Sequence, residues 1–374
     1  MRAEENPGTA FRIQMWSVEE FAAARAAWDE LLARSDADPL FMGWDWQWRW
    51  WAHHAAVLDA SLRLVAIYDG DRLCGLAPFY SHVVVVRHVL RSRRLELIGT
   101  SWRDARTSFS EYLDVIADRE HRSGVIAAIG LWLAAQPSWD DLVFCCSKRD
   151  SVVSQLVSEQ LARWSYVREV DPMVGWCARL PASFEHYVQA LSAAIRRKLF
   201  NQRRKLVEPR LVYATAGDVV DSIRLLWSLS SLRWGASPPP YVQNFQIDVA
   251  TELARRGELR LSRLCTATST RSVLYNVQKA GRVYYLQSGF DAADAQGLSP
   301  GYLHFGYAIE AACNDGATHF DFLAGRGLHR DYKRDFITDV IPMVSYHVVR
   351  RRIARGLYVA YQWFSERRKT STLA

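Results

Sequence analysis

The sequence has 374 residues, of which 49% are hydrophobic, 23% charged and 12% aromatic. This composition supports a packed core and argues against a disordered chain, and at about 150 residues per domain the length suggests two domains. The longest nearly apolar run, Val125–Ala135, is shorter than the roughly 20 residues of a membrane-spanning helix. The first ten residues carry no secretory signal pattern. We therefore expect a cytoplasmic protein, at most peripheral at the inner membrane.

The net charge of +7 is concentrated in two basic segments. Ala193–Arg210 and Arg350–Lys369 each contain seven Arg or Lys and one Glu. Such clusters suit phosphate ligands, nucleic acid or an anionic membrane surface, but they equally form the solvated faces of helices. The six cysteines include no C-x-x-C pattern, so we expect buried thiols and no metal site.

The first half of the chain is predicted to combine helices with a meander of strands. Ser17–Arg34 has the pattern of an amphipathic helix, with Ser17 as N-cap and Glu20 as its capping-box partner. Five tryptophans between Trp44 and Trp51 predict a helix that either packs in the core or lines a ligand site. The other predicted elements are a hairpin of Leu62–Tyr68 and Leu73–Tyr80 around Asp69-Gly70-Asp71, strands at Leu95–Ile98, Tyr112–Ile116 and Leu142–Cys146, and a helix at Arg122–Ala135.

The second half again runs from helices through strands to a helix and a strand. Its predicted helices are Phe184–Val207, Val219–Trp234, Tyr241–Arg255, Gly301–Asn314 and Arg351–Arg367. Its predicted strands are Leu259–Ala267, Ser272–Lys279, Arg282–Phe290, Thr318–Leu323 and Ile341–Val349. We predict an N-terminal half of residues 1–175, a C-terminal half of residues 176–350, and a basic amphipathic helix and tail of residues 351–374.

Residues 297–301 match the G-x-S-x-G pattern of serine hydrolases. That motif uses the backbone N–H of the residue after the serine as an oxyanion donor, and Pro300 has no N–H. Ser299 is instead predicted to be the N-cap of a helix with Pro300 at its first position. The N–H groups of Gly301 and Tyr302 would then form an anion-binding helix terminus, or simply the start of an ordinary capped helix.

A second cluster of candidate residues lies in Asp315–Phe336. Asp321 is in a strand dominated by Phe and Leu, where a carboxylate can orient a neighbour or anchor a loop. Tyr332 can protonate a leaving thiolate, and Lys333 can stabilise a phosphate or a developing oxyanion. The alternative is a charged surface loop. The sequence contains no Walker-type phosphate loop and no H-E-x-x-H motif.

The order of these elements resembles the second half of GNAT-fold acyltransferases of the cellulose-biosynthesis acetyltransferase type, which are similar to Fem-type peptidoglycan-bridge transferases. The resemblance covers roughly residues 20–350 and is strongest over 225–340. The residues that carry it are Tyr285, Gly289-Phe290-Asp291, Ser299-Pro300-Gly301, Ile309-Glu310, Gly316, Phe320-Asp321-Phe322-Leu323, Gly325, Tyr332-Lys333, Arg233-Trp234 and the Arg-rich stretch Ser192–Leu206.

The resemblance implies an α/β (α+β) fold of tandem GNAT-like domains, with mixed, mostly antiparallel sheets flanked by helices. It implies an active cleft mainly in the second half. The implied residues are Lys333, Tyr332 and Asp321 for catalysis; Ser299, Gly301, Tyr302 and Gly289 for donor binding; and Arg233, Trp234 and Tyr285 for substrate binding.

Three functions are consistent with this sequence. The first is an acyl-CoA-dependent N- or O-acyltransferase without a metal, moving an acetyl group to a sugar nucleotide or lipid-linked saccharide in bacterial exopolysaccharide or envelope synthesis. The second uses an aminoacyl-tRNA donor bound along Arg196–Arg210, with strongly salt-dependent affinity. The third is a non-catalytic sensor of a phosphate-rich ligand such as a cyclic dinucleotide. The C-terminal basic helix is expected to pack on the sheet or to dock on an anionic membrane surface.

Overall fold

The computed structural model describes residues 11–86, 90–235, 237–267, 269–291, 297–324, 331–336 and 338–350. Its strands are β1 (Arg12–Met15), β2 (Ser61–Asp69), β3 (Arg72–Val86), β4 (Leu90–Leu97), β5 (Ile116–Ala117), β6 (Asp141–Lys148), β7 (Tyr166–Arg179), β8 (Arg210–Tyr213), β9 (Leu259–Cys265), β10 (Thr270–Lys279), β11 (Arg282–Phe290), β12 (His319–Leu323) and β13 (Thr338–Val349).

Its helices are α1 (Val18–Ala23), α2 (Arg25–Ala33), α3 (Trp44–Leu58), α4 (Arg122–Ala135), α5 (Val152–Glu159), α6 (Phe184–Ala190), α7 (Ala193–Leu199), α8 (Val219–Trp234), α9 (Pro240–Arg255) and α10 (Pro300–Asn314). Short 3-10 helices lie at Arg119–His121, Leu161–Arg163, Asn201–Lys205 and Asp331–Phe336. Within the described ranges, no helix is long and apolar enough to cross a membrane. The predicted helix Arg351–Arg367 lies outside those ranges.

The chain divides into two compact units, residues 1–172 with 343–374 and residues 173–342. The first division falls near the predicted boundary at residue 175. The second differs from the predicted C-terminal half of residues 176–350, because the end of β13 belongs to the first unit. The physical reason is strand pairing, since Met343–Val349 pairs antiparallel with β6.

The first unit is a mixed sheet flanked by helices. Its strand order is β1-β2-β3-β4-β6-β13, and β4 and β6 form the parallel pair. Helix α4 packs on this sheet, with the Trp132 ring stacked 6.0 Å from that of Phe79. Helix α3 packs in the core, which is one of the two predicted alternatives for its tryptophans. Four of them are at most 9% exposed, namely Trp44, Trp46, Trp50 and Trp51.

Local sequence signals predicted most of the first unit correctly. The Ser17–Glu20 capping box is present, although the predicted helix is interrupted at Ala24 and forms α1 and α2. The predicted hairpin is confirmed as β2 and β3. The predicted strand Tyr112–Ile116 is mostly wrong, because only its last residue is in a strand. Asp114 instead accepts hydrogen bonds from the first N–H groups of α5, at 2.8 and 3.0 Å.

The second unit has a sheet of order β7-β12-β11-β10-β9-β8, in which β11 and β12 are parallel and α10 connects them. The predicted single helix Phe184–Val207 is wrong, because the chain is extended at Leu191 and at Ser192, the N-cap from which α7 begins. The Ser192 side chain accepts a hydrogen bond from the backbone N–H of Ile195. The predicted fold class, mixed α/β with mostly antiparallel pairing and flanking helices, is confirmed.

The cysteines agree with the prediction of unpaired thiols. All six are free, and five of them are buried. Cys265 differs in being partly exposed.

Candidate functional site

The candidate site lies where β11 and β12 stop pairing. These parallel strands share three residue pairs, from Arg282 with His319 to Tyr284 with Asp321. Within the described part of the chain, strand β11 continues to Phe290 without further pairing to β12, and we call this unpaired region between the two strand ends the gap. Helix α10 starts after β11 and returns to β12, which puts its N-terminal end at this gap. The two elements approach closely there, since a Cβ on Gly301 would lie 3.3 Å from the Phe290 ring.

The N-terminal end of α10 is held by a side chain from the basic segment. Ser299 occupies the predicted N-cap position, but its side chain makes no capping bond. Its backbone N–H instead donates to Gln202 Oε1 at 3.1 Å, and Gln202 Nε2 donates to the Gly297 carbonyl at 3.4 Å. The N–H groups of Gly301 and Tyr302 belong to the first turn, which has no intrahelical acceptors. This end of α10 can therefore receive an anion.

Tyr302 uses its side chain within the protein. Its hydroxyl donates to Asp335 Oδ2 at 2.6 Å, and its ring stacks on Phe336 with centroids 5.4 Å apart. The Lys198 ammonium lies 4.9 Å from the centre of the same ring. Burial, together with the Asp335 carboxylate, raises the pKa of Tyr302 above its usual value. Tyr302 thus presents only its backbone to the proposed anion site.

Asp321 is fully buried at the point where the strands separate. Its Oδ2 accepts from Arg282 Nη1 at 2.7 Å, and its Oδ1 accepts from the Leu323 N–H at 2.8 Å. Burial favours a lower pKa for Arg282, but the net pKa lies above its usual value, because the attraction of the Asp321 carboxylate is larger than this opposing effect. Leu323 has a left-handed backbone, with φ of 56°. Asp321 therefore shapes the end of β12.

Lys333 and Tyr332 lie at the same strand end. Lys333 is only 4% exposed. Its Nζ donates to the carbonyls of Phe322, Leu323 and Ala324 at 2.6, 2.9 and 2.9 Å. Tyr332 is half-buried, with its ring 6.3 Å from that of Phe305. The structure thus brings the three predicted catalytic residues together at β12, and it engages the Lys333 ammonium with the strand itself.

The remaining predicted residues have varied surroundings. The Tyr285 hydroxyl lies 2.8 Å from Ser288 Oγ, and its ring meets Phe305 edge-on at 4.9 Å. A Cβ on Gly289 would lie 2.7 Å from the Leu226 carbonyl oxygen, so this glycine is required by the packing of α8 on β11. Arg233 and Trp234 are in the last turn of α8, and their side chains lie outside the described part of the chain.

The first basic segment contains both partly buried and exposed cations. Arg203 donates to Glu310 at 2.5 Å and its guanidinium lies 3.9 Å from the centre of the Tyr307 ring, which ties the segment to α10. In contrast, Arg197, Arg204 and Lys205 are exposed. A positively charged surface therefore adjoins the N-terminal end of α10.

The corresponding place in the first unit is occupied by its own chain. Strands β4 and β6 pair in parallel only up to Glu96 and Val143. Beyond that point Ser147 Oγ donates to the Leu113 carbonyl at 2.6 Å, and the Lys148 ammonium lies 4.8 Å from the centre of the Tyr112 ring. We therefore place the candidate site in the second unit.

One group of potential metal ligands exists among the described residues, against the sequence expectation of no such cluster. Ligand atoms of Asp118, Glu120 and His121 lie within 4.8 Å of one another. Arg34 and Arg72 already bind the Asp118 carboxylate at 2.9 and 2.8 Å. Since two guanidiniums neutralise this carboxylate, the group is explained as a charge network.

His304 is a buried residue that the sequence analysis missed. It lies on α10 at 1% exposure, with Ser262 Oγ 2.9 Å from its Nε2 and Ser272 Oγ 2.7 Å from its Nδ1. Burial lowers the pKa of His304 to about 3. Nothing in the local sequence distinguishes this histidine from an exposed one, because its two serine partners lie on strands β9 and β10.

Acid is expected to destabilise the protein through His304. A lowered folded-state pKa means that stability is complete above the unfolded pKa near 6.5 and is lost as the pH falls towards about 3. At about 1.4 kcal/mol per pKa unit the loss reaches about 5 kcal/mol. Urea unfolding between pH 7 and pH 4 should show a weaker pH dependence for His304→Gln than for the wild type. The exposed His186→Gln is the control, and equal slopes in all three proteins would contradict the assignment.

Comparison with known families defines the class of this fold. Residues 193–334 match the profile of a family described as "Acetyltransferase (GNAT) domain". This range contains α7, α10, β11 and β12 with Asp321, Tyr332 and Lys333, and it ends just before Asp335. Over these residues the second unit is therefore similar in sequence to GNAT acetyltransferase domains.

Three solved structures show how far the likeness extends. FemX is 9% identical and aligns over 89% of this chain and 96% of its own, with a TM-score of 0.59. The C-terminal domain of a putative lysylphosphatidylglycerol synthetase from Agrobacterium fabrum is 10% identical, covering 91% and 96% of the two chains at a TM-score of 0.50. L-PGS from Bacillus licheniformis is 12% identical, covering 90% and 93% at a TM-score of 0.50.

At these identities the likeness concerns the fold. It confirms the predicted similarity to GNAT-fold and Fem-type proteins, whereas membership of the cellulose-biosynthesis type stays a prediction. A search of curated protein sequences gives no significant match.

Proposed function

We propose that this protein is an acyltransferase whose second unit binds a phosphate-bearing acyl donor. The observation that carries the proposal is the gap between β11 and β12, with the N-terminal end of α10 beside it, within a GNAT-type domain. The N–H groups of Gly301 and Tyr302 would receive a phosphate of the donor. The preferred donor is acetyl-CoA or another acyl-CoA, and the preferred acceptor is an amine or hydroxyl of a sugar nucleotide or lipid-linked saccharide.

The proposed reaction is attack of the acceptor on the carbonyl carbon of the acyl group. The acceptor loses its proton to solvent, the new N–C or O–C bond forms, and the C–S bond to CoA breaks to leave a thiolate that is then protonated. Positioning and electrostatic stabilisation of the tetrahedral intermediate supply most of the catalysis. We assign to Tyr332 the protonation of the leaving thiolate. Lys333 would stabilise the negative charge that develops near the end of β12, and Asp321 would orient that strand end.

An aminoacyl-tRNA donor is the second candidate. The specific observation in its favour is the exposed cationic surface of Arg197, Arg204 and Lys205, on the segment whose Gln202 contacts the loop before α10. A polynucleotide would follow such a surface, whereas CoA carries few phosphates. The fold of FemX and of lysylphosphatidylglycerol synthetase fits this donor equally well.

Calorimetric titration at two salt concentrations separates the donors. With acetyl-CoA we expect saturable micromolar binding to the full-length protein. Replacing Arg197, Arg204 and Lys205 together by Ala should leave that affinity within about threefold. It should weaken binding of tRNA by more than about tenfold and flatten its salt dependence, because each lost phosphate contact removes counterion release.

The outcomes distinguish all three functions. Acetyl-CoA binding supports the acyl-CoA enzyme and directs the search for acceptors to saccharides. Salt-sensitive tRNA binding without CoA binding moves the donor to aminoacyl-tRNA. If neither ligand binds, the proposal fails and cyclic dinucleotides become the ligands to test for a sensor.

A further inference from the structure

Three elements of the second unit meet at the side chain of Tyr302. Its hydroxyl donates to Asp335 at 2.6 Å, its ring stacks on Phe336 at 5.4 Å, and the Lys198 ammonium lies 4.9 Å from the ring centre. Asp335 and Phe336 belong to the 3-10 helix Asp331–Phe336, which we call the clasp helix. The first turn of α10 is thus connected to the clasp helix by a charge-assisted hydrogen bond and by an aromatic stack.

The other side of the clasp helix is connected to the end of β12. Lys333 donates to three consecutive carbonyls there, from Phe322 to Ala324, at 2.6 to 2.9 Å. Phe336 is fully buried and stacks on Phe322 with ring centroids 4.7 Å apart. The Tyr187 hydroxyl donates to the Phe336 carbonyl at 2.8 Å. The clasp helix is therefore fixed in the core and contacts both the first turn of α10 and the end of β12, which we call the two walls of the site.

The sheet alone does not fix the width of that gap. Among the described residues, pairing between β11 and β12 ends at Tyr284 and Asp321. A donor that binds at Gly301 and reacts near β12 needs a constant distance between these walls, because a misplacement of about 1 Å can cost about 100-fold in rate. An additional connection across the gap would supply this constancy.

We propose that the clasp helix sets the spacing between the N-terminal end of α10 and the end of β12, and that Asp335 is a positioning residue for donor binding through Tyr302. The inference rests on the proposed function for its effect on the donor. Its structural part, the restraint of the first turn of α10, stands on the contacts themselves. Asp335 acts through Tyr302 and does not touch the donor.

Two substitutions remove the same hydrogen bond from opposite sides. Tyr302→Phe keeps the ring stack and loses the hydroxyl, and Asp335→Asn keeps the shape and loses the charge. With the donor that the wild type binds, each should raise the KM or Kd about tenfold and leave kcat at saturation within about twofold. The double variant should be no worse than either single variant, because one bond is lost in all three. Tyr346→Phe, which removes a hydroxyl bond to Ser154 in the first unit, is the matched control.

Amide hydrogen exchange tests the restraint without any donor. In Tyr302→Phe and Asp335→Asn, exchange at Leu303, whose N–H donates to the Ser299 carbonyl at 2.9 Å, should accelerate about tenfold, with no change in Tyr346→Phe. Unchanged exchange would overturn the inference, whatever the wild type binds. A lower KM for Asp335→Asn would also overturn it, since the carboxylate would then merely repel the donor phosphate. Faster exchange in a protein that binds neither acetyl-CoA nor tRNA would leave the restraint standing and refute the proposed function.

Discussion

Replacing Asp321 by asparagine should lower the free energy of unfolding by about 3–5 kcal/mol. Asp321 is fully buried and pairs with Arg282, whose side chain is 25% exposed, at 2.7 Å. The substitution keeps the volume but leaves a largely buried guanidinium without its counter-charge. Leaving one buried charge without its partner costs much more free energy than the intact pair contributes to stability. Urea denaturation of the full-length protein measures the effect.

An exposed pair of the same chemistry is the matched control. Arg149 and Glu169 form two hydrogen bonds at 2.9 and 3.0 Å, with both side chains more than half exposed. Glu169→Gln should cost less than about 1 kcal/mol, because solvent screens the pair. If Asp321→Asn costs no more than this control, the Arg282 charge is solvated in the folded state and Asp321 does not anchor the strand end.

Replacing Lys333 by methionine should reduce acyl transfer by at least about 100-fold. The ammonium supplies three hydrogen bonds to the carbonyls at the end of β12, and methionine supplies none. The strand end would relax, and the positive charge would be lost from the reaction site. Donor binding should persist, because the phosphate site lies at α10. The rate of donor cleavage and calorimetric titration measure the two effects separately.

Two further variants identify how Lys333 acts. Lys333→Arg keeps the charge, but a planar guanidinium cannot direct three short bonds from one nitrogen. If strand geometry is decisive, arginine is as inactive as methionine; if charge alone is decisive, arginine restores turnover. Lys279→Met removes a lysine at the end of β10 that pairs with Glu258 at 2.9 Å, and it should retain normal turnover. Full activity in Lys333→Met would remove Lys333 from the mechanism.

Local signals in the sequence predicted the elements that depend on neighbouring residues. The Ser17–Glu20 capping box and the turn at Gly70 are determined within a few residues, and both form as expected. The break at Leu191 was missed because the apolar periodicity continues across it. Ser192, a strong N-cap residue, was the signal that would have located the start of α7.

The contacts that build the candidate site are mostly long-range. Gln202 and Ser299 are 97 residues apart, and Tyr302 and Asp335 are 33 apart. No spacing rule connects such pairs, so the sequence named Asp321, Tyr332 and Lys333 as candidates but did not predict what their side chains bind. Lys333 illustrates the difference, since it was a candidate for stabilising charge and its three carbonyl partners were not predicted.

The order in which the chain is synthesised limits when each unit can be completed. The sheet of the first unit needs β13, and His347 bonds Asp141 across 206 residues at 3.0 Å. A ribosome therefore releases all of residues 173–342 before the last strand of the first unit exists. The second unit is thus inserted in the sequence of the first. While residues 173–342 are synthesised, β6 has no β13 to pair with. Such distant pairing is slow to form and leaves a strand edge open meanwhile.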